Sequence, residues 1–195
     1  MEAAEQQHHH EHHDHEAHAR GSRNDVALSA TLHCLTGCAI GEIAGMAIGT
    51  AAALSNFGTV VLSIALAFVF GYSLTSMPLL RAGMALAAVI PIALASDTLS
   101  IGTMEIVDNA IVVAVPGALD AGLGDLLFWG SLAFSLAVAG AAAFPVNRWL
   151  IDRGRGHAVV HETGIHGGPD TRVVGVVTVF GFVFGAAVLI AEAVG

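Results

Sequence analysis

Five side chains with ligand chemistry descend one short stretch of this chain: His33, then Cys34, Cys38, Glu42 and Met46 within TLHCLTGCAIGEIAGMAIGTAAAL. Steps of four residues stay on one slowly drifting face of an α-helix. The stretch therefore aligns two thiols, a carboxylate and a thioether, with an imidazole at its mouth. Such a mixed donor set seeks transition-metal ions. Thiols and thioethers favour Cu(I), whereas imidazoles and carboxylates suit Zn(II), Ni(II) or Co(II). A second group stands in the apolar run MEIVDNAIVVAV, where Met104, Glu105 and Asp108 interrupt the hydrocarbon. Glu105 and Asp108 are three apart and share a helix face.

An ionised carboxylate at the centre of a bilayer costs about 2.5–3.5 kcal/mol even on the lenient insertion scale. All seven basic residues are arginines, and none falls between positions 24 and 80 or between 82 and 147. Glu42, Glu105 and Asp108 must then be protonated, hydrogen-bonded around water, or neutralised by a bound cation. This favours a cation or proton site; the alternative is a set of protonated acids that clamps helices together. Ser96 and Asp97 read differently, as an N-cap at the membrane edge.

Two further groups of histidines lie outside the apolar runs. His8, His9, His10, His12, His13, His15 and His18 alternate with Glu11, Asp14 and Glu16. A His-rich tract of this kind is compositionally metal-binding, with a plain solvated tail as the alternative. It can bury no core and is expected to be disordered without metal. His157 and His161 stand four apart in a glycine-rich loop and are expected to collect metal with the tail.

The elements that position these residues follow from composition. The chain is 55% hydrophobic and 12% charged, with a mean hydropathy of +0.73, which excludes an ordinary soluble domain. The fold class predicted is all-α: a polytopic helical membrane protein with about five transmembrane helices, at 31–54, 57–80, 96–116, 126–146 and 173–194. Segment 82–95, short and interrupted by Pro91, reads as an interfacial or re-entrant helix. Pro145 is expected to bend or end the fourth span. Residues 1–25 form the tail and 152–172 a loop. Residues 1–24 lack the apolar core of a cleavable signal, so the first span is expected to act as its own insertion signal.

Gly37, Gly41, Gly45 and Gly49 form a second ladder in the first span, and small residues at that spacing admit a neighbouring helix closely. Arg20, Arg23, Arg81, Arg148, Arg153, Arg155 and Arg172 all fall on one side of the five-span layout. The positive-inside rule then puts the N-terminus in the cytoplasm and the C-terminus outside a bacterial inner membrane. The net charge of −9 misleads, because much of the acid lies in the tail, and no broad basic face exists for nucleic acid. Two cysteines make no disulfide framework. No nucleophile–base pair, phosphate loop or nucleotide motif is present, so enzymatic activity is not expected. Membrane lipid is the expected surround. Five short helices make a thin wall for a pathway, which favours a homo-oligomer.

HCLTGCAIGE at 33–42, GYSLTSMPLLRAG at 71–83, SDTLSI at 96–101, MEIVDNA at 104–110, FWGSLA at 128–133 and FPVNRWLIDRGRGHA at 144–158 together resemble one bacterial integral-membrane family, a domain of unknown function. The resemblance covers about residues 31–161 and implies a small polytopic membrane protein, without an activity or site. Function therefore rests on the side chains. The leading expectation is a membrane protein that binds and transports a transition-metal ion, Cu(I) favoured, with Zn(II), Ni(II) or Co(II) possible. His33, Cys34 and Cys38 would bind at the entrance, and Glu42, Met46, Met104, Glu105 and Asp108 would line the path. The alternatives are a redox- or haem-linked sensor using Cys34, Cys38 and His33, or a scaffold subunit packed through the Gly37–Gly49 ladder.

Overall fold

The computed structural model describes the backbone of residues 2–157, 160, 163 and 171–194, and the side chains of 23–157, 160, 163, 176–191 and 194. Its helices are α1 (Glu2–Ala51), α2 (Asn56–Arg81), α3 (Leu86–Ala114), α4 (Leu126–Ile151) and α5 (Thr171–Val194), with a 3-10 turn at Ala118–Asp120 before α4. No strand occurs among the described residues. Four helical stretches are long and apolar enough to cross a membrane: Arg23–Ala51 of α1, then α2, α3 and α4. A shorter apolar stretch, Val176–Ala191, lies within α5. The chain is a helical membrane protein, as its composition predicts.

Tight connections reverse the chain after α1 and again after α2, so α1 runs parallel to α3 and antiparallel to α2 and α4. Ser55 starts α2 by accepting the Gly58 N–H at 3.2 Å. One end of the bundle collects Arg23, Arg81, Arg148, Arg153 and Arg155. There Arg23 pairs with Asp152 at 3.2 Å, and the Arg153 guanidinium lies 4.1 Å over the Trp149 ring. The opposite end holds no arginine among the described residues: Asn56 donates to Asp120 at 2.8 Å, and the Trp129 indole donates to the Leu123 carbonyl at 2.9 Å.

The glycine ladder of α1 is met rung by rung. Gly37 faces Gly71, Gly41 faces Ala67, Gly45 faces Ser63 and Gly49 faces Thr59. Each step of four along α1 is answered by a step of four back along α2, so two small-residue stripes close into one antiparallel zipper. A Cβ added at Gly37 would lie 2.7 Å from the Gly71 Cα, too close for the backbones to stay where they are. Tertiary contact with α2 thus occupies the ladder within the chain, and the scaffold reading loses the surface it required. α5 docks on α4, where Gly185 meets Gly130 and Phe134, and Phe182 stacks on Phe134 with centroids 5.5 Å apart.

Three local expectations are corrected. Segment 82–95 is not a separate interfacial helix; from Leu86 onward it is the first part of α3, 29 residues in all. Pro91 is the sixth residue of that helix; its missing N–H forgoes one bond, to the carbonyl four residues earlier, which a membrane helix accommodates. Arg81 keeps its place at the arginine end. Because α3 begins this early, Asp97 is no cap: the N-cap is Ala85, and Asp97 is wholly buried inside the helix. Likewise α4 runs through Pro145 to Ile151.

Candidate functional site

The parallel helices α1 and α3 bring the two chemical runs of the sequence side by side. Their contacts descend in step, from Cys34 against Asp97, through Cys38 against Met104, to Glu42 against Glu105. At 1.5 Å per residue the line from Cys34 to Glu42 covers about 12 Å of the roughly 30 Å hydrocarbon core.

The arginine end of this line is closed by the chain itself. After α4, Gly154 and Gly156 adopt φ of 62° and 63°, a left-handed conformation that glycine reaches without strain. The turn sends His157 back into the bundle, where it is buried. Its Nδ1 lies 3.2 Å from Asp97 Oδ1, and its ring meets that of His33 edge-on, with centroids 5.2 Å apart. His33 Nε2 shares a 3.0 Å hydrogen bond with the Thr75 hydroxyl of α2. The Cys34 thiol donates to Asp97 Oδ1 at 3.9 Å. Two imidazoles, a carboxylate and a thiol from two helices and a loop therefore share one buried compartment.

Below it the line narrows to sulfur, with Cys38 Sγ 4.0 Å from Met104 Sδ. Beyond that lie the three carboxylates. Glu42 and Glu105 are close neighbours, with Ser63 of α2 beside Glu42. Asp108 accepts from the Ser135 hydroxyl of α4, and Asn109 lies 3.5 Å from Glu105 Oε2. The line then opens into a cavity of about 270 Å³ at the arginine-free end, lined by Glu42, Met46, Asn56, Asn109, Asp120 and Ser131 among others. Met46 is half-buried there, its sulfur 3.6 Å from the Thr50 hydroxyl.

Buried polar atoms are almost always paired. Here five side-chain atoms along the line have no hydrogen-bond partner: Glu42 Oε1, Glu105 Oε1, Asp97 Oδ2, Ser100 Oγ and His157 Nδ1. His157 Nδ1 is thus close to Asp97 without being aligned for a hydrogen bond. Among the described residues, no group of three or more His, Cys, Asp and Glu side chains is arranged, as it stands, to hold a metal ion. The compartment is a set of neighbouring donors, not a closed cage.

His33, Cys34, Cys38, Glu42, Met46, Met104, Glu105 and Asp108 all fall on this line. His157, expected in a collecting loop, belongs to it as well. His161 and the side chains of His8, His9, His10, His12, His13, His15 and His18 lie outside the described residues. Sequence reasoning missed Thr75, Ser63 and Ser135 as partners. Thr59, Ser63, Ala67, Gly71 and Thr75 recur every four residues in the sequence, so the inward stripe of α2 was visible but unread. Asp97 was missed because its helix was begun ten residues too late, at Ser96 instead of Leu86.

Residues 24–156 match the model of the DUF4396 family, a domain of unknown function, and the chain belongs to that family. No curated protein and no solved structure matches it.

Proposed function

We propose that this DUF4396 protein passes a transition-metal cation across the membrane along the line between α1 and α3. One observation carries the reading: Glu42, Glu105 and Asp108 converge in the middle of a bundle with no lysine or arginine in reach, two of them with an orphaned carboxylate oxygen. Buried charges without a partner are expensive, and a passing cation supplies the missing charge. The thioether and thiol above the carboxylates, Met104 and Cys38, suit a soft or borderline ion. The cavity at the arginine-free end gives Glu42 an aqueous outlet. With the arginine end taken as cytoplasmic, in a bacterial inner membrane, the His-rich tail lies on the supply side and the direction is export.

Purified protein in liposomes, loaded with a metal-sensitive dye and challenged with Cu(I) or Zn(II), tests this directly. Wild type should carry metal, and Glu105→Gln, which keeps the shape and removes the charge, should abolish the flux while the protein remains folded. Flux undiminished in that variant would remove the carboxylates from the path.

A further inference from the structure

The compartment at the arginine end has a donor set of its own, separate from the carboxylates below. We infer that Cys34, Asp97 and His157 form a binding site for a borderline divalent ion of the zinc class, with His33 beside its fourth position. The inference does not rest on conduction through Glu42, Glu105 and Asp108.

Distances support it first. Zinc binds sulfur at about 2.3 Å and nitrogen or oxygen at about 2.0 Å in a tetrahedron, which places neighbouring N and O donors about 3.3 Å apart and S and O donors about 3.5 Å apart. Asp97 Oδ1 lies 3.2 Å from His157 Nδ1 and 3.9 Å from Cys34 Sγ. The first edge is already formed, and the second closes with a shift of a few tenths of an ångström. The orphaned atoms support it independently. His157 Nδ1 and Asp97 Oδ2 are buried without hydrogen-bond partners, although Asp97 is wholly buried and His157 nearly so. Asp97 Oδ1 already accepts from Cys34, while its Oδ2 and His157 Nδ1 keep lone-pair or donor capacity that no neighbouring side chain uses. An imidazole that binds metal through one nitrogen has the other held by an oriented partner; His33 has that partner in Thr75, on Nε2.

The chemistry then selects the ion. One thiolate, one carboxylate and up to two imidazoles form a harder set than the sulfur pair Cys38 and Met104, and they suit Zn(II) and Co(II) over Cu(I). Access is built in. His157 is carried on the short turn after α4, where a Cβ added at Gly154 would meet nothing within 4 Å, although one at Gly156 would meet Leu150 at 3.0 Å. A movement of that turn would withdraw one ligand and release the ion into or out of the line below.

Co(II) reports the site in the full-length protein despite the tail, because the tail contains no cysteine. Reduced protein in detergent, titrated with Co(II), should develop a thiolate-to-cobalt charge-transfer band and intense tetrahedral ligand-field bands. Zn(II) should bleach both. Cys34→Ala should remove the charge-transfer band, whereas Cys38→Ala should keep it. His157→Gln and Asp97→Asn should each weaken Co(II) binding by at least about tenfold. Glu105→Gln should leave the spectrum unchanged, so loss of transport and loss of this site are read separately. The inference is overturned if folded wild type shows no charge-transfer band. It is equally overturned if the band depends on Cys38 and not Cys34, or if both the His157 and Asp97 variants bind as wild type does. Should Cys34→Ala fail to fold, the His157 variant, altered only in the loop, decides with the wild type.

Discussion

Two faces of α1 carry the same four-residue period and do opposite things. Against α2 the period presents glycine, and the backbones close until Gly37 meets Gly71 and Gly41 meets Ala67 with no room for a methyl group. Against α3 it presents Cys34, Cys38 and Glu42, and there the helices stand apart around thiol, thioether and carboxylate. The tight seam fixes α1 in depth and rotation. The loose seam uses that fixed position to hold polar groups that satisfy one another only in part. Backbone contact thus confers rigidity at a face with no chemistry, and chemistry occupies the face where side chains fill the space between the helices.

The largest break in this comparison is predicted at the tight seam. Gly41→Leu would drive a side chain into the Ala67 backbone, and neither helix can yield without opening every other rung. Overpacking a well-filled core usually costs about 1–3 kcal/mol, and here backbone, not a mobile side chain, is the obstacle, so the cost should reach the top of that range or exceed it. Size-exclusion chromatography after extraction should show aggregated or absent protein. A monodisperse variant with wild-type melting would show that the zipper is not what sets α1.

Glu42→Met makes the opposite break, at the loose seam. Replacing a buried ionisable group by an apolar side chain of similar volume is often neutral or stabilising, and Glu42 has an orphaned oxygen to lose. Thermal unfolding should be unchanged or raised, while metal flux in liposomes falls to background. If the variant unfolds instead, Glu42 is a structural clamp, and the division of labour between the two faces collapses.

Thr75→Val lies where the seams meet. The α2 stripe that packs the glycines ends in Thr75, whose hydroxyl holds His33 at 3.0 Å. The substitution preserves shape and leaves a buried imidazole nitrogen unpaired, a penalty of about 1–3 kcal/mol. The expected outcome is an intermediate loss of melting temperature together with weaker Co(II) binding. Lost stability with unchanged metal affinity would assign Thr75 to the zipper alone.

Much of this arrangement could be read from residue spacing. A membrane helix has little choice but to bury its polar stripe, so Cys34, Cys38, Glu42, Glu105 and Asp108 were legible as interior groups from period and cost alone. The glycine ladder was legible as an interface, but not its occupant; only pairing the period of α1 with the matching Thr59–Thr75 period of α2 identifies it. Asp97 and His157 escaped for different reasons. Asp97 is hidden by Pro91, which marks a false boundary because a membrane helix accommodates an interior proline. For His157, the glycines and proline at 164–169 signal a loop but give no sign that the turn at Gly154 and Gly156 carries its side chain inward. Local propensity locates a turn; where the turn delivers its side chain is decided by the helices it lands on.

The smallest predicted effect uses a glycine that belongs to neither seam. Gly102 lies in the interior of α3, with nothing within 4 Å of the position a Cβ would take. It contributes no close approach, and its φ is not in the left-handed region. Its flexibility therefore only widens the unfolded ensemble, and Gly102→Ala should stabilise the protein by about 0.5–1 kcal/mol. The same substitution at Gly41 would place its methyl group against Ala67 and should destabilise. Melting both variants side by side isolates the packing contribution, since the change in helix propensity is common to the pair. Opposite signs would confirm that small residues matter in this bundle by position and not by abundance. Equal signs would mean that the α1–α2 seam tolerates a methyl group and is looser than its geometry requires.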